Sequence, residues 1–190
     1  MAFLTISQAQ AASRSVRESR GGANAELRKS AAADESIEFD IFVSHSFEDA
    51  RTVRGVKVLL ENLGARVYVD WIVDPQADRG KVTPDTADML RARMGHSRFM
   101  LYATSEASPR SKWMPWELGY FDGLHRGSVG VLPLVEYEGQ GFRGQEYLGL
   151  YPAYELIDFA GGGGRHIARR VGINKAATLI SDITRSATRS

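Results

Sequence analysis

Glu117 is the acid whose neighbours most suggest chemistry. It lies in the stretch from Ser111 to Leu124, which also holds Trp113 and Trp116, two of the three tryptophans of the chain. Proline is tolerated in a helix only in the first turn, where its missing N–H has no partner to lose. The spacing therefore predicts a helix with Pro115 in its first turn and Ser111 at or just before the cap. Glu117 then stays near the helix N-terminus, whose dipole favours a carboxylate. Trp113, four residues earlier, shares its face. An acid beside an aromatic plate suits a planar cationic ring and the charge that develops next to it. The plainer reading is a core helix with one solvated acid, and this stretch alone favours it, because short motifs over-predict sites.

Other polar residues fall where strands end. Ser44, His45, Ser46 and Phe47 follow an apolar run and could line a ligand pocket, although a serine there is as often a turn or cap. His45 is read first as a structural hydrogen-bonding group and only second as a base. Asp70 could bind a ligand hydroxyl or merely cap a loop. Trp71 follows it, and Ser105 closes another strand. Arg79 and Lys81 could meet an anionic group of a ligand if their loop closes, but exposed loop charges seldom do anything so definite. Trp116 and Tyr120 are spaced to pack together as core. The four histidines lack metal-ligand spacing, so no metal site is expected. Gly161 to Gly164 lacks the Lys-Ser/Thr of a phosphate loop.

The elements that must position these residues follow from periodicity. Phe39 to Val43 reads as a buried strand. Val53, Val56, Leu59, Leu60 and Leu63 recur at helical spacing, and Gly64 ends that helix. Val67 to Val69 is a second strand, and a long irregular loop runs from Ile72 to about Val82. Thr83 caps a helix opened by Pro84 and running to Gly95. Strands at Phe99 to Tyr102 and Val129 to Val135 flank the tryptophan helix, and Tyr154 to Ile157 is read as a fifth strand. His166 to Ile183 has helical spacing, weakened by Gly172. Residues 1–36, rich in Ala, Ser and Arg, read as a separate arm, flexible or partly helical, with a thin apolar stripe from Ile6 to Arg17. Alternating strands and helices argue for a parallel sheet with helices on both faces, and such sheets bind ligands outside the carboxyl ends of their strands.

Composition narrows the class of function. With 24 Lys and Arg against 23 Asp and Glu, there is no field to recruit nucleic acid or an anionic membrane. The absence of cysteine removes disulfides, thiolate metal sites and thiol nucleophiles, and is compatible with a cytoplasmic protein. No stretch approaches membrane-spanning length. The opening residues are too short for a signal-peptide core.

The segment from Phe39 to Asp49 resembles the first box of Toll/interleukin-1 receptor (TIR) domains. Tyr68-Val69-Asp70 with its following loop is similar to their second strand and BB loop, and Ser111 to Leu118 resembles their serine-x-tryptophan and glutamate-leucine box. Order and spacing agree over about residues 37–158, with 159–190 read as a glycine linker and a helix completing the domain. The resemblance implies an α/β, flavodoxin-like, doubly wound five-stranded parallel sheet with helices on both faces. It implies either a scaffold signalling by TIR–TIR contact or an enzyme cleaving the nicotinamide–ribose bond of NAD, the branch to which a free-standing bacterial protein of this kind points. In that branch Glu117 matches the catalytic acid and Trp113 the aromatic before it. The loop from about Trp71 to Thr83 matches the one that gates the site and completes it between subunits, here without the usual proline-glycine pattern.

The chemistry is consistent with one acid. Hydrolysing an O-glycoside takes two carboxylates, one to protonate the leaving oxygen. Nicotinamide leaves a cation as a neutral molecule and needs no acid, so one carboxylate can stabilise the ribosyl centre or orient its hydroxyls. The reading is an NAD glycohydrolase or ADP-ribose cyclase, with NAD as substrate and no cofactor. It is expected to self-associate through TIR contacts, in filaments if the contact is head-to-tail, and to send a signal molecule to an effector in anti-phage defence. The rivals are a non-catalytic TIR scaffold, a nucleoside ribosyltransferase-like enzyme and, more remotely, a receiver domain, which would need an aspartate where Thr104 and Ser105 stand.

Overall fold

The computed structural model describes residues 2–19, 37–73, 83–106, 108–158, 165–172 and 175–178. Its centre is a five-stranded, all-parallel sheet in the order β1-β5-β4-β2-β3, formed by β1 (Leu4–Thr5), β2 (Phe39–Ser44), β3 (Val67–Tyr68), β4 (Ser97–Thr104) and β5 (Val129–Val135). The helices are α1 (Ile6–Ser19), α2 (Ala50–Asn62), the short α3 (Asp70–Val73), α4 (Pro84–Gly95) and α5 (Trp113–Leu124).

Two apolar layers sandwich the sheet, as the strand period of two requires. On β4, Phe99, Leu101 and Ala103 join the layer that holds Ala9 of α1 and Val53, Val56 and Leu60 of α2. Met100 and Tyr102 point the other way, into the layer with Leu90 and Met94 of α4 and Met114, Leu118 and Phe121 of α5. The doubly wound α/β sheet expected from the sequence is therefore present. The local signals hold as well. Thr83 accepts from the backbone N–H of Thr86 and Pro84 opens α4, while Gly64, at a φ of 92°, follows the end of α2.

Three expectations are corrected. Residues 4–19 are not a separate arm. β1 pairs with β5, Leu4 opposite Leu134, and α1 lies on α2. Gly55 makes that packing close: a Cβ there would stand 1.7 Å from the Ala9 carbonyl oxygen. The thin stripe of α1 suffices because Ala9 meets a glycine.

Tyr154 to Ile157 is not the fifth strand of the parallel sheet. Ala153 bridges to Val131, but β1 occupies the edge of β5 beyond it. The chain then leaves as β6 (Glu155–Asp158), whose Leu156 N–H donates to the Ala2 carbonyl. The expected C-terminal helix is likewise absent over its described part. β7 (Arg165–Gly172) and β8 (Lys175–Thr178) continue from β6 as a three-stranded antiparallel sheet. Ile167 is buried in the layer against α1 and α2, and cross-strand pairing outweighs a helical spacing already interrupted by glycine. Residues 179–183 of that expected helix lie outside the described residues.

Candidate active site

α5 starts as its sequence predicts. Pro115 is its third residue, and Ser111 Oγ accepts from the Met114 N–H at 3.3 Å. Its apolar residues bury it on the α4 side of the sheet, which carries Glu117 inward with them. Glu117 is completely buried, and so is Ser44 at the carboxyl end of β2. Ser44 Oγ donates to Glu117 Oε2 at 2.6 Å, the short length expected of an O–H bond to a carboxylate. The plainer reading of a solvated acid does not hold, and Ser44 is the anchor of that acid rather than a cap.

Trp113 is only 7 % exposed and meets Trp116 edge-to-face at 5.3 Å. Trp116 is half-buried and stacks on Tyr120 at 5.9 Å, with the Arg91 guanidinium 5.4 Å from its ring centre. The tryptophans thus form one aromatic ladder along α5, with Trp113 at its inner end.

His45 is buried behind Ser44, its Nδ1 3.1 Å from the Val43 carbonyl oxygen. A hydrogen bond there needs the proton on Nδ1. Its Nε2 faces Asp70 Oδ1 at 3.8 Å, joining the turn after β2 to the start of α3. Ser46 is a cap, its Oγ accepting from the Glu48 N–H at 3.4 Å. Phe47 projects from the same turn and is 70 % exposed. Ser105 donates to Asp49 Oδ2 at 2.7 Å and the buried Ser108 does so at 3.5 Å, so the loops after β2 and β4 are braced together. Burial raises the Asp49 carboxyl above its ordinary range, against the two serine bonds that lower it. Outside this brace, Arg110 pairs with Glu48 on the surface.

The structure thus brings Ser44 to Glu117, His45 to Asp70 and Ser105 to Asp49, all at the carboxyl edge. Of Trp71, the backbone lies in α3 and the side chain is not described; Arg79 and Lys81 lie outside the described residues. Asp49 and Ser108 were not singled out in the sequence. Asp49 is the last residue of the strand-end box, but its role depends on a loop reached through β4. Among the described residues, no group of three or more His, Asp or Glu side chains could hold a metal ion, and no helix is long and apolar enough to cross a membrane.

No protein-family model matches the chain. It is similar to a protein of Bacillus cereus provisionally named 3' cyclic ADP-D-ribose synthase ThsB', at 52 % identity over 120 residues, which cover 63 % of this chain and 62 % of that one. It also resembles a protein of Cytobacillus dafuensis provisionally named cyclic ADP-D-ribose synthase TIR2, at 28 % identity over 83 residues, covering 43 % of this chain and 22 % of that one. The chain therefore spans less than two thirds of the length of these curated relatives. The strand-end box, the serine-tryptophan-glutamate box on α5, the parallel sheet that joins them and these similarities agree in making the chain resemble bacterial TIR-domain proteins.

Proposed function

We propose that the protein cleaves the nicotinamide–ribose bond of NAD and closes the remaining ADP-ribose into a cyclic product. The observation that carries this reading is the fully buried Glu117 held by Ser44 at the carboxyl edge of a parallel sheet. A carboxylate fixed in a site that excludes water stabilises positive charge far better than a solvated one. As the bond from C1′ to nicotinamide breaks, the pair of electrons leaves with nicotinamide, which departs neutral, and the charge passes to the ribosyl centre beside Glu117. An internal nucleophile then forms the new bond to C1′ and gives up its proton if it is a hydroxyl. Glu117 is placed to accept that proton.

Cyclisation rather than hydrolysis is favoured by two points. The names of both relatives describe cyclic ADP-ribose synthases. The burial of Glu117 also disfavours water as the capturing nucleophile. Trp113 contributes an aromatic wall, and Arg79 and Lys81 remain proposed pyrophosphate contacts. The product serves as a signal to an effector in anti-phage defence within the cytoplasm, a role resting on family resemblance.

The test is to incubate the purified protein with NAD and identify the products. Free nicotinamide with a cyclic ADP-ribose isomer is expected, and Glu117→Gln should reduce it at least about a hundredfold in a folded protein. Linear ADP-ribose alone would turn the reading to hydrolysis. Absence of turnover at every enzyme concentration, with self-association retained, would make the chain a scaffold.

Self-association belongs to the same proposal. A head-to-tail contact that completes each pocket from a neighbour propagates without closing. Specific activity should then rise with enzyme concentration in step with light scattering. Constant specific activity from a monomer would remove assembly and leave the chemistry.

A further inference from the structure

Tyr102 is the largest polar side chain beside Glu117 that the chemistry so far leaves unused. It sits in β4 in register with Ser44 of β2, so both side chains project from the α5 face of the sheet. The ring is completely buried in the apolar layer with Trp113, Met114 and Leu118. Its hydroxyl has no hydrogen-bond partner of acceptable geometry. Such a group is unusual in a folded protein, because a phenylalanine would fill the same space without stranding a donor.

The polar neighbours of that hydroxyl are the Tyr147 phenol, close enough to act on it as a hydrogen-bonding group though outside good bonding geometry, and the Glu117 carboxylate. Tyr147 comes from the 3-10 segment Glu146–Leu150, whose Leu148 is buried in this layer. Burial, then Tyr147, then the negative charge of Glu117 all raise the Tyr102 phenol, so it keeps its proton throughout the range in which proteins work. It is a permanent donor beside a permanent site for an acceptor.

We infer that Tyr102 is a substrate-contacting residue whose hydroxyl donates to a hydroxyl oxygen of the nicotinamide-side ribose while Glu117 engages the same ribose. This inference rests on the NAD-cleaving reading. A ribose diol offers both a proton to Glu117 and a lone pair to Tyr102. The two residues therefore recognise complementary ends of one group, and the phenol that no protein group pairs finds its acceptor in the substrate. A site built on such a bond discriminates strongly against a substrate that lacks the matching hydroxyl.

The experiment compares the wild-type protein with Tyr102→Phe, and with Tyr147→Phe as a neighbour control, on NAD and on its two analogues lacking the 2′- or the 3′-hydroxyl of the nicotinamide-side ribose. Tyr102→Phe should lower kcat/KM for NAD at least about tenfold with a Tm unchanged or raised, since it removes an unsatisfied buried group. On one of the two deoxy analogues the wild type should lose that advantage and match the variant within about twofold. A variant as active as the wild type, a Tm that falls in step with activity, or an advantage that survives on both analogues would overturn the inference while leaving the cleavage reading intact. A wild-type protein with no turnover would overturn that reading, and this inference with it.

Discussion

Ala9 of α1 and Gly55 of α2 stand so close that a side chain on the glycine would drive a Cβ to 1.7 Å from the Ala9 carbonyl oxygen. A backbone oxygen cannot swing aside as a side-chain end can. The contact ties the N-terminal segment to the domain, together with Gln10 Nε2, which donates to Thr52 Oγ1 at 3.3 Å.

Gly55→Ala should therefore destabilise the protein by about 1–3 kcal/mol as α1 is pushed off α2. Gly119→Ala, on α5 with nothing within 4 Å of the added Cβ, should be neutral or stabilising, since alanine is the better helix former. Thermal melts of the two variants check this. Equal stability in both would mean that α1 does not bear on α2 in solution.

Ser44→Ala removes the donor that holds Glu117. A hydrogen bond to a charged group contributes about 1.5–3 kcal/mol, so a loss of stability of that order is expected when the acid is ionised. kcat on NAD should fall with it, because the carboxylate loses its fixed position. Ser44→Thr, which keeps the hydroxyl, should recover part of the rate. The measurement is kcat and Tm for both variants; an undiminished kcat in Ser44→Ala would show that Glu117 is held by other contacts.

Trp113 is both core and proposed wall. Trp113→Ala should cost about 3–5 kcal/mol of stability by the cavity it leaves, and Trp113→Phe less. If the ring also contacts nicotinamide, Trp113→Phe assayed well below its Tm should retain most of its activity while Trp113→Ala does not. Activities that track the two melting temperatures alone would confine Trp113 to packing.

The Asp49 brace predicts a pH dependence. Its folded-state carboxyl is raised, chiefly by burial, so between the ordinary carboxylate range and that raised value the folded protein binds more protons than the unfolded one. Its contribution to stability therefore falls as pH rises through the raised value. Asp49→Asn should be at least as stable as the wild type near neutral pH, and the gap should close toward pH 4. Melting curves of both proteins across this range test it, and a variant less stable than the wild type by the same amount at every pH would assign the difference to the Ser105 bond instead.

Local signals were legible in the sequence wherever one residue's chemistry sets the backbone. Thr83 and Pro84 start α4, Pro115 can stand only in the first turn of α5, and the unbroken apolar run of Phe99 to Ala103 reports a strand buried on both faces. The boxes at Phe39 to Asp49 and Ser111 to Leu118 carried the family resemblance and pointed to Glu117 for the same reason: each is a short run of neighbours. What only the tertiary structure decided are pairings between distant residues. Leu4–Thr5 is too short to carry a period, yet it supplies the fifth parallel strand, a part given in the sequence to Tyr154 to Ile157. Ser44 and Glu117 are 73 residues apart, and nothing near either one reports that a serine at a strand end would meet an acid carried inward by α5. The strand Arg165–Gly172 is stabilised by pairing with β6, and Lys175–Thr178 by pairing with Arg165–Gly172, rather than by their own propensity. Periodicity tells which face of an element is buried; which neighbour buries it depends on the edges and faces left open by the rest of the chain.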